Sequence, residues 1–442
     1  MGTILLGIII LILALLGEPL FIIISIITLL AFAGEGQEPG VVISSLTRMA
    51  DVPSLIAIPL FTFAGYILAE SKAPKRLLNL SQALFGVIPG GFSIIALVSC
   101  AVFTAFTGGS GITIVALGGL ILPMLLREKY SEKYSLGLIT TCGSLGILFP
   151  PSLPIILYAL VAQQALQQSL FNLESSGQVL SINKLFVAGL LPGIILILML
   201  ALYGFFKAKQ SGMQSIPFNL KNIFVAIRES IWEIPLPFLI VIGIYWGIFT
   251  ATEAAAITAF YVFFVEFFIY RDLKLFTDLP KIIKESMILV GAILIILGSA
   301  LALTDYFIFT EVPQKLFQFI QTFISSPIVF LLLLNLFLLV VGMMMDIFSA
   351  TMVVVPLITP IAMSYGIDQI HLGIIFLLNL EIGYLTPPVG MNLFISSFRF
   401  NKPIFEVYKS VLPFIAVMII TLLLVTYIPQ LSLFLVNYFN VQ

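Results

Sequence analysis

Apolar residues in this chain come in long unbroken runs, without the alternation of a half-buried strand or the narrow stripe of a soluble helix. The runs occupy about 4–16, 19–33, 55–70, 92–126, 135–165, 185–207, 233–250, 252–270, 284–303, 327–365, 371–398 and 411–435. At 1.5 Å per residue, about 20 residues cross the roughly 30 Å hydrocarbon layer of a bilayer. Inside that layer a segment must satisfy its own backbone hydrogen bonds, which a helix does. The pattern predicts an all-α integral membrane protein, with one crossing for most runs.

Four runs do not fit, and they carry the functional information. The run 92–126 breaks at Thr107-Gly108-Gly109-Ser110-Gly111, leaving arms Phe92–Phe106 and Ile112–Leu126 of 15 residues each. Such an arm reaches about 22 Å, too short to cross. Two short arms around a glycine-rich tip predict a re-entrant hairpin that enters and leaves on one face. The run 327–365, interrupted at Asp346-Ile347-Phe348-Ser349-Ala350-Thr351, predicts a second hairpin with a longer first arm. The other two are helices interrupted by paired prolines, at Gly146-Ile-Leu-Phe-Pro150-Pro151-Ser152 and Gly383-Tyr-Leu-Thr386-Pro387-Pro388-Val-Gly390. Proline removes a backbone donor and clashes with the preceding turn, so two together predict local unwinding, or at the least a kink.

The odd segments repeat. Gly146-x-x-x-Pro150-Pro151 falls on Gly383-x-x-x-Pro387-Pro388 with an offset of 237 residues, and the same offset carries the tip at 107–113 onto 344–350. Ala73-Pro74 pairs with Val312-Pro313, and Gly17-Glu18-Pro19 with Thr252-Glu253-Ala254. This predicts two repeats of about six segments, 1–212 and 233–442, joined by a cytoplasmic linker at 213–232.

Charge then orients them. Cytoplasmic loops are enriched in Lys and Arg. Lys72, Lys75 and Arg76 precede the first hairpin and Arg127, Lys129 and Lys133 follow it, whereas no Lys or Arg occurs from Leu316 to Phe398. The hairpins therefore enter from opposite faces, and the repeats are inverted. Inverted halves whose broken helices meet near the midplane are a plan of secondary transporters, with alternating access to a central site.

Composition narrows the class further. Sixty per cent of the 442 residues are apolar, 9% are charged and the net charge is −1, which excludes a nucleic-acid binder. Cys100 and Cys142 lie in apolar runs without metal-ligand spacing and read as packing residues. His371, the single histidine, stands at a segment boundary. The N-terminal run lacks a basic leader and a small-residue cleavage site, so it reads as a retained membrane segment. No HExxH, GxSxG, phosphate loop or Cys/His cluster is present, which argues against an enzyme and against nucleotide-driven transport.

At the breaks, Thr107, Ser110, Thr113, Ser152, Ser349, Thr351 and Thr386 offer hydroxyls. Gly108, Gly109, Gly146, Pro150, Pro151, Gly383, Pro387, Pro388 and Gly390 supply unwound backbone. Oxygen ligands of low net charge suit sodium, and Gly108, Ser110, Ser152, Ser349 and Thr386 are its candidate ligands. Helix-half N-termini suit an anionic solute. The same hydroxyls could instead satisfy broken backbone. Asp346 is a candidate for a cation, for a proton or for capping the second arm. Glu381 stands as an intramembrane acid before the second break, and Thr250-x-x-Glu253 reads as a capping box.

At these residues the chain resembles the large membrane subunit of tripartite ATP-independent periplasmic (TRAP) transporters. The likeness covers nearly the whole length. It is carried by Ile58-Pro-Leu-Phe-Thr-Phe-Ala-Gly-Tyr-Ile-Leu68, Ile88-Pro-Gly-Gly-Phe92, Phe103-Thr-Ala-Phe-Thr-Gly-Gly-Ser110 and Gly247-Ile-Phe-Thr-Ala-Thr-Glu-Ala254, together with Gly146 to Ser152 and Leu385 to Gly390. The family tip is commonly Ser-Gly-Ser, then a small residue and Ala-Thr; here it is Thr107-Gly-Gly-Ser-Gly-Ile-Thr113. The resemblance implies an elevator-type, sodium-coupled importer of organic acids, carboxylates or sialic acid among them. It also implies two partners, a small four-helix membrane subunit and a soluble periplasmic binding protein, in the cytoplasmic membrane of a prokaryote. The alternative is a self-sufficient sodium/anion carrier of related architecture.

Overall fold

The computed structural model describes residues 18–38, 40–48, 52–86, 90–169, 180–210, 219–245 and 248–439. The run at 4–16, residues 87–89 of the lead into the first hairpin, Gly17, Gly247 and residues 213–218 of the linker lie outside them. Among the described residues every regular element is helical. The first half holds α1 (Leu20–Gly34), α2 (Gly40–Arg48), α3 (Ala57–Glu70), α4 (Ala73–Phe85), α5 (Gly91–Thr107), α6 (Ser110–Ala116), α7 (Gly118–Arg127), α8 (Glu132–Cys142), α9 (Leu153–Ser169) and α10 (Ile182–Gln210). The linker carries α11 (Leu220–Glu229), which packs on α4. The second half holds α12 (Pro235–Tyr245), α13 (Ala251–Phe264), α14 (Asp278–Phe309), α15 (Val312–Phe323), α16 (Pro327–Met344), α17 (Ile347–Ser364), α18 (Gln369–Gly383), α19 (Met391–Phe400), α20 (Ile404–Tyr427) and α21 (Gln430–Tyr438). Six described helices are long and apolar enough to cross a membrane, or eight if each of two bent pairs is one span.

Local chemistry accounts for several boundaries. Thr250 and Glu253 form the expected capping box at the start of α13. Asp368 accepts from the Ile370 and His371 amides and opens α18. Three expectations are corrected. The second arm of the first hairpin is two helices, α6 and α7, bent by 50°. Gly118 sits under Phe400 and Ile139, where a Cβ would stand 2.8 and 2.9 Å from their side chains, and Pro123 removes the ladder donor four residues after Gly119. The second tip is shorter than the sequence suggested: Ile347 to Thr351 already belong to α17 because Asp346 caps it. Finally, α14 has 32 residues, since good helix formers such as Lys281, Lys284 and Glu285 continue the apolar run.

Packing reveals a two-fold relation between the halves. Helix α1 packs on α14 while α13 packs on α3; α9 packs on α17 while α19 packs on α6; α10 packs on α18 while α20 packs on α8. Counterparts exchange partners, as a self-complementary two-fold arrangement requires. Specific contacts fix the directions. The loops after α3 and α13 meet where Lys72 pairs with Asp272 (3.4 Å), so both helices run toward that end. Lys281, at the start of α14, pairs with Glu70 at the end of α3 (3.2 Å). Helix α1 runs alongside α14 in the same sense, through Ser25–Ser299 (3.0 Å) and Phe32–Tyr306 (ring centroids 5.3 Å). Counterparts α1 and α13 therefore run oppositely, and so do α3 and α14. The repeats are inverted.

The same end is tied by one guanidinium. Arg76 on α4 binds Glu266 with both carboxylate oxygens (2.9 and 3.0 Å), and also Glu233 and Asp272, with its guanidinium 3.8 Å from the Tyr270 ring centre. Burial works against that charge, but the carboxylates outweigh it and hold Arg76 above its ordinary pKa. Burial likewise opposes the charge on Asp272, yet its bonds from Arg76 and Lys72 hold its carboxyl below the ordinary value.

Candidate functional site

Each hairpin tip lies against the broken helix of its own repeat. At the first, α5 ends at Thr107 and Gly108 turns the chain with φ +65°, a conformation that favours glycine. Built onto Gly108, a Cβ would stand 2.6 Å from Leu153, so the tip at Gly108 abuts Leu153, the residue after Ser152. Gly146 lets the 3-10 turn at Leu145–Leu148 press against α5, where a Cβ would meet the Ala101 carbonyl and the Ala105 amide at 2.4 Å. The second repeat reproduces this approach: a Cβ on Gly383 would stand 2.5 Å from Gly342 of α16. In lipid, where burial of apolar surface gives little drive, such close approaches of small residues hold helices together.

At the second tip, the Gly390 amide donates to the Met343 carbonyl (3.1 Å) and the Ile347 amide to the Tyr384 hydroxyl oxygen. Both paired prolines, Pro150-Pro151 and Pro387-Pro388, are cis. The tips also reach across the repeats. Gly111 faces Ile395 of α19, where a Cβ would stand 2.8 Å from its side chain, and the Asn392 amide reaches the Thr140 carbonyl on α8 (3.4 Å).

The candidate hydroxyls divide into two groups. Thr107 Oγ1 and Ser152 Oγ are buried without a protein partner, and Ser110, the first residue of α6, is buried as well. The rest are engaged. Thr104 donates to the Gly143 carbonyl (3.0 Å) and accepts from Thr113 (2.7 Å). Ser349 donates to Asp346, Thr351 to the Ile347 carbonyl (2.6 Å) and Thr386 to the Ile382 carbonyl (2.9 Å). Thr113 and Thr351 thus serve the inside of their own hairpins. Asp346 accepts from the amides of Phe348 and Ser349 (3.0 Å each), the capping role among its three alternatives. Glu381 is fully buried, with neither carboxyl oxygen bonded to protein.

His371 bonds Ser432 (3.1 Å) and the Thr426 carbonyl (3.2 Å), a structural tie. Cys100 and Cys142 are buried thiols. The sequence reading missed a polar chain in which Asn379 donates to Asn335 (2.7 Å) and Asn335 to Thr426 (3.1 Å). Amides inside apolar runs were the signal for it. Tyr384 was passed over as well, although it stands inside the second break.

Comparison with known proteins agrees with this architecture. Residues 5–431 match the family described as tripartite ATP-independent periplasmic transporter, DctM component. The C4-dicarboxylate TRAP transporter large permease protein DctM of Pseudomonas aeruginosa is 34% identical over 390 residues, 88% of this chain and 87% of that protein. The isethionate TRAP transporter permease protein DctMQ of Oleidesulfovibrio alaskensis is 31% identical over 95% of this chain but only 64% of its own length. In fold alone, the crystal structure of the Alcanivorax borkumensis YdaH transporter is similar, with a TM-score of 0.61, 12% identity and coverage of 89% of this chain and 88% of that one. These relatives are permeases, not enzymes. With matched breaks, inverted halves and agreement over nearly its full length, this chain belongs to the DctM-component family of tripartite ATP-independent periplasmic transporters.

Proposed function

We propose that this chain is the sodium-coupled carrier for a small organic acid, moving its site across the cytoplasmic membrane of a prokaryote by an elevator motion. The observation that carries this reading is the pair of unpartnered buried hydroxyls, Thr107 and Ser152, where the first tip meets the first break. A buried hydroxyl without a partner loses its solvation for nothing in return. A sodium ion held by Thr107, Ser110, Ser152 and the carbonyls at the end of α5 would repay that loss. Ser349 and Thr386 already spend their protons on Asp346 and Ile382, which makes them the weaker candidate ligands.

The solute class is supported by relatives named for C4-dicarboxylates and isethionate, both small organic anions; others are named for ectoine, a small zwitterionic carboxylate. The N-terminus of α19, opening beside both tips, offers backbone amides to such an anion. Reciprocal packing of α1, α3, α13 and α14 supplies a frame, and the two tip-and-break assemblies are the unit that would move against it. The third of DctMQ without a counterpart in this chain fits a separate small membrane subunit here, with a periplasmic binding protein as the third component.

The test is uptake of succinate into liposomes holding this chain and its small membrane partner, with and without a sodium gradient and the binding protein. Uptake that needs both supports the reading. Uptake that ignores sodium overturns the coupling, and uptake without the binding protein favours a self-sufficient carrier.

A further inference from the structure

Glu381 has no part in the reading above, yet it lies on α18 little more than one turn before the break at Thr386. It is fully buried, and it is the carboxylate among the described residues whose two oxygens are both buried and unpartnered. The elements packed on α18 are the turn at Leu145–Leu148, α9, α10, α16, α17, α20 and α21. Their titratable groups are Tyr158, Lys184, Tyr203, Lys207, Lys209, Glu406, Tyr408, Lys409, Tyr427 and Tyr438, and α18 itself adds His371. None is within hydrogen-bonding distance of the Glu381 carboxyl. Tyr158, Tyr408, Tyr427 and His371 are committed to Gln369, Pro388, Ile328 and Ser432.

An ionised carboxylate is costly there without a counter-charge, and no protein group supplies one within hydrogen-bonding distance. The fold does not demand an acid at this place. The counterpart of Glu381 in the first repeat, at the 237-residue offset, is Ser144, whose hydroxyl bonds the Thr141 carbonyl (3.4 Å).

We propose that Glu381 is a proton site: it takes a proton from water on one face before α18 is buried as here, and returns it to water when the carrier opens to the other. The site is separate from the hairpin tips, and the inference rests on the transport reading above. One proton is bound and one released per cycle, with no other bond made or broken.

The experiment uses proteoliposomes holding the full chain and its partners, a sodium gradient, succinate and an entrapped pH dye. Wild type should carry protons in with succinate and slow as the outside pH rises. Glu381→Gln, a neutral isostere, should keep sodium-dependent uptake while losing both the proton movement and the pH slope. No proton movement in wild type, or the same movement in the variant, overturns the proposal. Sodium-independent uptake would sink the coupling reading without touching this one. If the variant does not fold or succinate is not carried, infrared spectra of the wild-type chain in liposomes decide. A protonated-acid carbonyl band that shifts in heavy water and fades at alkaline pH supports the site. Absence of the band, or a band indifferent to both treatments, overturns it.

Discussion

The two hairpin tips share a backbone plan but not a chemistry. At the first, two adjacent glycines turn the chain and leave Thr107 and Ser152 with hydroxyls that no protein group meets. At the second, Asp346 gathers two amides and the Ser349 hydroxyl to itself, and Tyr384 meets the amide of Ile347. One tip leaves buried hydroxyls without a protein partner; at the other, side chains satisfy one another. A repeated fold can thus keep its packing rule while its two copies differ in how their polar groups are satisfied.

The largest expected effect tests what the tips share. Gly146→Val and Gly383→Val each place a side chain against backbone at about 2.5 Å. Overpacking of this kind should cost about 3 kcal/mol or more in either variant, read as a matching drop in thermal unfolding in lipid. If one variant is tolerated and the other is not, the equivalence of the repeats fails. The next tests where they differ. Thr107→Ala or Ser152→Ala should raise the sodium concentration for half-maximal uptake about tenfold, a loss of about 1.4 kcal/mol, whereas Ser349→Ala should move it by about twofold or less. Equal shifts from both tips would erase the contrast.

Smaller is the cap. Asp346→Ala should cost about 1 kcal/mol of stability, with Asp346→Asn retaining most of it and neither changing sodium affinity much. A large sodium effect from Asp346→Asn would return Asp346 to the ion site. Smallest is the acid response of the Arg76 cluster, which ties α4 to residues of the second half. Asp272 is held below its ordinary pKa, so its contribution is present above the unfolded value, about 3.9, and is lost as pH falls through the folded one. Unfolding measured below about pH 4 should accelerate in wild type and respond less in Asp272→Asn.

Much of this was legible because the decisive residues break a local rule. Paired prolines and the glycine-rich tip interrupt a helix, and their common offset needs only counting. The first break narrows to Gly108 and Gly109, because Thr107 ends α5 and Ser110 opens α6. The capping box at Thr250 and Glu253 is equally local. What stayed hidden depends on distant partners. Nothing around Arg76 announces Glu233, Glu266 and Asp272, which lie 157 to 196 residues away. At the bend between α6 and α7, Gly118 lies under Phe400 of the other repeat, a neighbour the local sequence does not announce. Which hydroxyls are free could not be read either, because Thr386 and Ser349 look no different from Thr107 until their neighbours are in place.

The reciprocal packing has a consequence in time. Ser25 on α1 meets Ser299 on α14, 274 residues later. A ribosome adding roughly 5–20 residues per second needs on the order of 15–50 s to cover that distance. During that interval α1 and α3 are already made, while the helices that complete their frame are not. Helices α1 and α3 must therefore wait in the bilayer without their second-half partners α14 and α13, and assembly of the frame is a late event of synthesis.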